Sequence, residues 1–160
     1  MWYIILFFVT LIADQVTKII CDANNVNIPV IEGILRIEIA HNDGAAFSLL
    51  KGAQTFFIVL TVVVVVCGVV FLIVKKPKSK WLNTAIALMF SGTIGNFIDR
   101  LAFKYVRDFI NVEFFANFNV ADMCLCVGAG MLVFFVMFLD SDPVINFKKK
   151  GKTETEEITQ

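Results

Sequence analysis

Long apolar stretches divide the chain into four blocks, and the segments between them hold most of the charged residues. Inside the blocks the only charged residues are Asp14, Lys18 and Asp122. A hydrocarbon layer about 30 Å thick needs roughly 20 mostly apolar helical residues to cross it. The pattern therefore predicts four transmembrane helices, at about residues 2–20, 52–74, 81–98 and 120–139.

The first block has a second interpretation, a cleaved signal peptide. Such a peptide begins with basic residues and ends at a cleavage site of the small-x-small type. No basic residue precedes the apolar run at residues 1–13, and no such site follows it. We therefore interpret this block as a retained helix.

The overall composition favours a membrane protein. Of the 160 residues 58% are apolar, and 17 are Phe. A soluble domain is typically about 45–50% apolar. Because the excess lies in the blocks and is not spread along the chain, it indicates helices that face lipid.

The basic residues predict the orientation. "KKPKSK" (75–80) lies between the second and third spans, and "KKKGK" (148–152) follows the fourth. With four spans both clusters face the same side, and the positive-inside rule makes that side the cytoplasm. We therefore expect a transmembrane domain over residues 1–147 with cytoplasmic termini. The cytoplasmic tail at 148–160 is basic and then acidic, and we expect its end, "TETEEITQ" (153–160), to be disordered.

This topology collects polar residues at the outer face of the membrane. Polar and ionisable groups inside a membrane are costly and are typically functional. The residues that converge there come from the ends of the spans and from the outer loops at 21–51 and 99–119; they are Asp14, Lys18, Asn42, Asp43, Asn96, Asp99, Arg100, Asp108, Asn119 and Asp122. Their convergence indicates a site at the outer face.

The first outer loop contains a strand pattern. Apolar and charged residues alternate over residues 35–39, which predicts a half-buried strand. Asn42-Asp43-Gly44 is a strong turn signal, so residues 45–50 are a candidate for the returning strand. Such a hairpin lies either as a platform beside the polar cluster or as an ordinary solvated loop, and the pattern leaves both open.

Several polar residues also have a purely structural interpretation. Asp14 and Lys18, four apart with the acid first, suit an intrahelical ion pair as well as a catalytic role. Ser91 and Gly95 are also four apart, a spacing that favours close helix packing. Arg100 points away from its neighbour Asp99 on a helix and is expected to serve a charge elsewhere.

Metal and thiol chemistry receive little support, so we expect neither a metal nor a cofactor. His41 is the single histidine and lies next to the predicted turn, where we expect it to be exposed. Cys124 and Cys126 are two apart and point to opposite sides of a helix, which disfavours a zinc site. Cys21 is the thiol expected to be exposed, and no disulfide is expected.

Carboxylate chemistry remains. Two carboxyl groups within hydrogen-bond reach share one proton near neutral pH, so one acts as a base on water while the other polarises a carbonyl. The candidates are Asp14, Asp43, Asp99, Asp108 and Asp122, and spacing does not choose among them.

Two other classes of function remain open on the residues alone. An ion- or proton-coupled transporter also carries carboxylates in its spans, but its site usually lies near the midplane between internal repeats. The chain has neither feature. A non-enzymatic assembly factor would not need polar groups to converge on one face.

Five blocks of the sequence resemble the lipoprotein signal peptidases, the type II signal peptidases of bacteria. They are "DQVTK" (14–18), "HNDGAAF" (41–47), "GTIGNFIDR" (92–100), "VRDF" (106–109) and "FNVAD" (118–122). The resemblance implies an all-α membrane aspartyl protease of four transmembrane helices with a small extracytoplasmic β-cradle, in the bacterial cell membrane. Its partners would be prolipoproteins, cleaved before a cysteine that carries diacylglycerol, and membrane lipids. We expect a monomer that binds no nucleic acid.

The resemblance also implies roles for individual residues. Asp108 and Asp122 would form the catalytic pair. The residues that would bind substrate or support the pair are Asp14, Lys18, Asn42, Gly44, Asn96, Arg100 and Asn119. Ser91 stands where members of the family commonly have a second glycine, and it is small enough to keep the helix contact. For Arg107 the resemblance carries no expectation.

Overall fold

The computed structural model describes residues 2–44 and 54–139. The helices are α1 (Trp2–Ala23), α2 (Gln54–Lys75), α3 (Lys80–Phe103) and α4 (Val120–Phe134), and α4 continues as a π-helix, Phe135–Leu139. The strands are β1 (Asn27–Ile31), β2 (Leu35–Asn42), β3 (Val106–Val112) and β4 (Asn117–Phe118). The candidate strand at 45–50 and the tail at 148–160 lie outside the described residues.

Three helices of the described chain are long and apolar enough to cross a membrane, where four were predicted. They are α1, α2, and α4 with its π-helical extension, Val120–Leu139. The 24-residue α3 is long enough, but it carries the polar residues Asn96, Asp99 and Arg100. It also extends to Phe103, five residues beyond the predicted span. Helices alone do not describe the fold, because four strands form a sheet beside them.

Small residues allow α3 to pack closely against α1 and α4. A Cβ atom added to Gly95 would lie 2.6 Å from Asp14 Oδ2, so a larger residue would displace that carboxylate. Ser91 is buried and accepts a hydrogen bond of 2.6 Å from the Thr10 hydroxyl of α1. The close packing predicted for Ser91 and Gly95 is confirmed. Ser91 also adds a polar link between α1 and α3 that glycine could not make.

The four strands form one antiparallel sheet in the order β1-β2-β3-β4. The strand predicted at residues 35–39 is confirmed as part of β2, which continues to Asn42. Within the described residues β2 pairs with β1 and β3, so its partners come from the segment before it and from the second outer loop. The register places Ala40 opposite Asp108.

The turn from α3 into β3 is short. Lys104 adopts the left-handed conformation with φ 69°, and its N–H donates to the carbonyl oxygen of Arg100. A non-glycine residue in this conformation is uncommon and ends the helix sharply. As a result, the first half of β3, Val106 to Phe109, is buried close to the end of α3.

Cys21 is buried, contrary to the expectation that it would be the exposed thiol. It lies seven residues after Asp14 and three after Lys18, which places all three on the face of α1 that packs inward. Cys67 and Cys126 are the exposed cysteines of the described chain, and all four thiols are free.

Candidate active site

Asp108 lies in the buried half of β3, where its side chain is 1% exposed. Each carboxylate oxygen accepts a hydrogen bond from an asparagine amide. Asn42 of β2 donates to Oδ2 at 2.9 Å, and Asn119 donates to Oδ1 at 2.6 Å. Two neutral donors from different elements therefore fix the orientation of this carboxyl group.

Asp122 lies in the first turn of α4 and forms a capping box with the N-cap residue Asn119. The Asp122 N–H donates to Asn119 Oδ1 at 3.0 Å, and the Asn119 N–H donates to Asp122 Oδ2 at 3.2 Å. This reciprocal arrangement satisfies backbone donors that a helix start leaves unpaired. The other oxygen, Oδ1, accepts a hydrogen bond of 2.8 Å from Asn96 of α3. Asp122 therefore lies at the N-terminus of an apolar helix because the capping box holds its carboxylate there.

Asn119 connects the two acids, which we call the acid pair. Its side-chain amide donates to Asp108 Oδ1 and also to Asn96 Oδ1, at 3.2 Å, while its backbone N–H donates to Asp122. Asn119 itself is fully buried. The acid pair therefore lies in one network of asparagine amides contributed by β2, α3 and the start of α4.

Burial perturbs the ionisation of Asp108. Removal from water raises the pKa of Asp108 from 3.8 to about 7. The hydrogen bonds from Asn42 and Asn119 lower this pKa, and the neighbouring charge of Asp122 raises it. A carboxyl group of this kind is partly protonated at neutral pH, which is the condition for sharing one proton with a second acid.

A cavity of about 520 Å³ opens beside the acid pair. Its polar lining residues are Asn42, Asn96, Arg100, Asp108, Asn117 and Asp122, and the remainder is mainly apolar, with Gly44, Val106, Phe115, Ala116, Phe118, Met123, Leu125 and Cys126. A second cavity of about 320 Å³ shares Arg100 and Asp122 with it and extends along α2. The acids therefore lie at the wall of an apolar cleft between the helices and the sheet.

Arg100 lines both cavities and interacts electrostatically with the acid pair, as well as with its neighbour Asp99. Its guanidinium lies 4.9 Å from the centre of the Phe57 ring. Among the described residues its Nε atom has no hydrogen-bond partner. Arg100 therefore faces charges other than Asp99, as expected.

A second cluster, which we call the buried ring, contains four buried side chains and the partly buried Gln15: Asp14, Gln15, Lys18, Asp99 and Arg107. Lys18 Nζ lies 2.9 Å from Asp14 Oδ2 and 3.4 Å from Asp99 Oδ2, and Arg107 Nη2 lies 2.7 Å from Asp99 Oδ1. Gln15 closes the ring, because it donates to Asp14 Oδ2 at 3.0 Å and accepts from Arg107 Nη2 at 3.4 Å. The ion pair predicted for Asp14 and Lys18 is confirmed.

No pattern along the chain indicated that Arg107 and Gln15 join this cluster. Arg107 is 3% exposed and pairs with an acid eight residues earlier, across the turn from α3 into β3. No periodicity connects these two positions, because their approach depends on the left-handed residue Lys104. Gln15 follows Asp14 inside "DQVTK", so its motif was visible although its partner was not.

Two other candidates lie apart from the acid pair. Asp43 accepts a hydrogen bond from Gln54 Nε2, at 2.6 Å, through its backbone carbonyl. His41 is exposed, as expected; it stacks on Tyr105 with ring centres 4.2 Å apart and lies 3.1 Å from Asp22 Oδ1. The structure therefore brings Asp108 and Asp122 together and assigns Asp14 and Asp99 to the buried ring.

Comparisons with known proteins show the family of this chain. The sequence model of the signal peptidase (SPase) II family matches residues 6–138. The lipoprotein signal peptidase of Bacillus pumilus (strain SAFR-032) is 42% identical over 148 residues, which cover 88% of this chain and 94% of that protein. The lipoprotein signal peptidase of Streptococcus pyogenes serotype M5 (strain Manfredo) is 46% identical over 107 residues, covering 66% of this chain and 70% of that protein.

Two solved structures share the fold. One is a bacterial membrane enzyme solved by the in meso method at 2.3 Å resolution; it has a TM-score of 0.79 and 31% identity, and covers 95% of this chain and 94% of its own. The other, solved by the same method at 1.9 Å, has a TM-score of 0.76 and 33% identity, with coverage of 85% and 92%. With the family match over most of its length, this chain is a membrane protein that belongs to the signal peptidase II family of proteases.

Proposed function

We propose that this protein is an aspartic endopeptidase that removes the signal peptide from diacylglyceryl-modified prolipoproteins, cleaving just before the lipidated cysteine. The observation that carries the proposal is the acid pair, held in a network of asparagine amides at the wall of an apolar cleft. Membership of the signal peptidase II family supplies the substrate class.

In the proposed mechanism the acid pair holds one proton. The ionised carboxylate removes a proton from a water molecule, whose oxygen attacks the carbonyl carbon of the residue before the cysteine. The protonated acid donates its proton to the carbonyl oxygen, which gives a neutral tetrahedral intermediate. When the C–N bond breaks, the proton taken from water passes to the nitrogen of the cysteine. The acid that donated its proton to the carbonyl oxygen takes one back from a hydroxyl group of the intermediate, and this leaves the new carboxyl group.

The asparagine amides suit this reaction because they are neutral. A lysine or arginine in direct contact would strongly favour the ionised form of both acids, whereas the hydrogen bonds of the neutral amides orient Asp108 and leave its pKa raised by burial. Arg100 lies at the cavity wall and carries a guanidinium that lies near both acids. It is placed to bind a carbonyl oxygen of the substrate beside the acid pair.

The apolar cleft suits a substrate that is itself anchored in lipid. Its walls would accept the acyl chains and the apolar segment of the signal peptide. We propose that α3 is the fourth transmembrane helix, since its residues Asn96 and Asp99 are buried inside the bundle and not exposed to lipid. With both basic clusters in the cytoplasm, a monomeric domain over residues 1–147 would present the acid pair at the outer face of the bacterial cell membrane.

Topology reporters fused after residues 43, 80 and 150 test this orientation. The proposal expects an outer location for the first fusion and a cytoplasmic location for the other two. A cytoplasmic signal from the fusion at residue 43 would contradict the orientation, because it would place β2 and the acid pair on the wrong side.

Cleavage of matched peptides tests the activity. The purified protein is incubated in detergent with a prolipoprotein peptide whose cysteine carries diacylglycerol, and with the same peptide unlipidated. We expect cleavage of the lipidated peptide before the cysteine, little cleavage of the other, and no loss after exhaustive chelation of metals. Asp43→Asn serves as a control and should cleave at close to the wild-type rate. Equal cleavage of both peptides would contradict the proposed substrate class.

A further inference from the structure

The buried ring is not used by the proposed mechanism, yet it contains four charged side chains. Asp14, Lys18, Asp99 and Arg107 are each at most 3% exposed. Their formal charges are two positive and two negative, so the ring is neutral as a whole. An uncompensated charge at such a depth is strongly unfavourable, so each member depends on the others.

The buried ring holds the backbone immediately before each member of the acid pair. The Arg107 N–H donates to Asp99 Oδ2 at 2.9 Å, and Arg107 precedes Asp108. The Ala121 N–H donates to Asp14 Oδ1 at 2.8 Å, and Ala121 precedes Asp122. The two carboxylates of the ring therefore fix the positions from which both acids project.

The buried ring also reaches the acid pair through side chains. Lys18 Nζ donates to Asn96 Oδ1 at 2.9 Å, and Asn96 Nδ2 donates to Asp122 Oδ1 at 2.8 Å. Because Lys18 donates to the oxygen of the Asn96 amide, it directs the nitrogen of that amide toward Asp122. Lys18 is shared between Asn96 and the two ring acids, and Arg107 contacts the same Asp99.

We propose, on the basis of the proposed function, that Arg107 is a positioning residue whose pairing with Asp99 keeps Lys18 on Asn96 and thereby holds the acid pair in its productive arrangement. Arg107 does not line the cavity beside the acids, so it acts through its neighbours and not on the substrate. Its guanidinium is held by two contacts to Asp99, Nη2 to Oδ1 at 2.7 Å and Nε to Oδ2 at 3.3 Å, and lies 4.5 Å from the centre of the Phe103 ring.

Removal of the guanidinium would have two consequences. Lys18, 3.4 Å from Asp99, would move toward that carboxylate and away from Asn96, so Asp122 would lose an oriented donor. The buried ring would also gain a net negative charge. The ionisable groups that face Asp108 are Asp122, Lys18 and Arg100. An added negative charge behind them favours the protonated carboxyl group and raises the pKa of Asp108 further.

Kinetics of Arg107→Met in the full-length protein test the proposal with the lipidated peptide. We expect kcat to fall roughly 10- to 100-fold with KM within about twofold, since misplacement of reacting groups by about 1 Å has effects of this size. The alkaline limb of the rate profile should move to higher pH by roughly half a unit or more. Arg107→Lys should restore part of kcat, because lysine keeps the charge but not the two-point contact.

A double variant separates positioning from general stability. Asp99→Asn together with Arg107→Met returns the ring to neutrality, and the amide oxygen introduced at position 99 can still accept the backbone N–H of residue 107. We expect the alkaline limb of this variant to coincide with that of wild type, and its kcat to be at least about fivefold higher than that of Arg107→Met. Arg36→Met is the matched control, because Arg36 lies on the neighbouring strand in an exposed ion pair with Glu38, and it should leave kcat unchanged.

Two results would overturn the role of Arg107. One is a folded Arg107→Met protein with wild-type kcat and pH profile. The other is a lower kcat with an unmoved alkaline limb and no recovery in the double variant, which would indicate a structural role alone. If Arg107→Met does not fold, Arg107→Lys and the double variant provide the same comparison.

The inference and the proposed function fail in different experiments. A wild-type protein that does not cleave the lipidated peptide would contradict the function. The pH dependence of Tm would then still test the electrostatic link between Arg107 and Asp108 without substrate. The inference expects that dependence to shift to higher pH in Arg107→Met, and an unchanged dependence would overturn it.

Discussion

The acid pair and the two acids of the buried ring have different kinds of partner. Asp14 and Asp99 lie in the buried ring against Lys18 and Arg107, at 2.7–3.4 Å. The acid pair instead accepts hydrogen bonds from asparagine amides at 2.6–2.9 Å. Asn96 links the two groups, because it donates to Asp122 of the acid pair and accepts a hydrogen bond from Lys18 of the buried ring.

The difference separates a structural acid from an acid that can exchange a proton. A cation in direct contact keeps a carboxylate ionised, so it holds its neighbours in place but does not donate a proton. An amide holds a carboxyl group in either protonation state. These partners are a physical reason, independent of any motif, to choose Asp108 and Asp122 from the five acids that spacing left open.

The largest expected effect follows from removing the exchangeable proton. Asp108→Asn or Asp122→Asn should each lower kcat by about 100- to 10,000-fold, the range attributed to general acid–base catalysis. The double variant should be little worse than either, since the two acids act as a unit. Single-turnover cleavage of the lipidated peptide measures all three, and uncleaved diacylglyceryl precursor should accumulate.

The same substitution in the buried ring provides the contrast. If Asp108→Asn kept substantial cleavage while Asp99→Asn or Asp14→Asn abolished it, the catalytic pair would have been assigned to the wrong cluster. Asp43→Asn, whose backbone and not its side chain makes the contact to Gln54, should have the least effect.

Hydropathy predicted the helices but was least informative for α3, which carries more buried polar residues than any other described helix. The most apolar helix, α2, contains no buried residue, whereas α3 contains nine. The polar residues of α3 that lower its hydropathy, Asn96 and Asp99, are among those buried inside the bundle. A span that carries a site is therefore harder to recognise by composition than one that contacts only lipid.

The motifs led to the acid pair but not to the whole of its support. Asn42, Asn96 and Asn119 all lie in recognisable blocks and all contact the acid pair. Arg107 could not be predicted, because its partner Asp99 approaches only after the chain turns at Lys104. The partners of β2 were also missed, since strand pairing between distant segments leaves no local pattern.

The pH dependence of cleavage is expected to follow the acid pair. Burial raises the pKa of Asp108 to about 7, and deprotonation above that pH leaves the acid pair without a shared proton. We therefore expect kcat to fall by about tenfold per pH unit above an apparent value near 7, which belongs to the pair and not to one residue. Measurement of kcat from about pH 5 to about pH 9 tests this, and a rate that stays constant over the alkaline half of that range would contradict it.

A smaller loss of activity is expected from the buried ring. Asp14→Asn keeps an oxygen for the Ala121 N–H but leaves Lys18 and Arg107 against a single acid. We expect kcat to fall by about tenfold and Tm to drop, because breaking a buried ion pair costs about 3–5 kcal/mol. Asp22→Asn is the matched control on the same helix, since Asp22 is 31% exposed and contacts only His41 among its described ion pairs. Complete loss of cleavage at an unchanged Tm would instead place Asp14 in the catalytic machinery.

The smallest effect expected is on stability, and its sign depends on pH. The folded protein holds the Asp108 proton up to about pH 7, whereas an unfolded chain releases it near pH 3.8, the ordinary value. The stabilisation from this group is therefore complete below about pH 4 and is lost as the pH rises through about 7. An asparagine at this position does not titrate, so Asp108→Asn does not lose this stabilisation as the pH rises. Its free energy of unfolding relative to wild type should therefore increase by about 1–3 kcal/mol from about pH 5 to about pH 8. Thermal unfolding in one detergent at both pH values measures this change. The Tm of Asp108→Asn minus the Tm of wild type should rise by a few degrees between the two pH values. Asp43→Asn should show no such change, and a Tm difference that stays constant with pH would mean that Asp108 is ionised in the folded protein.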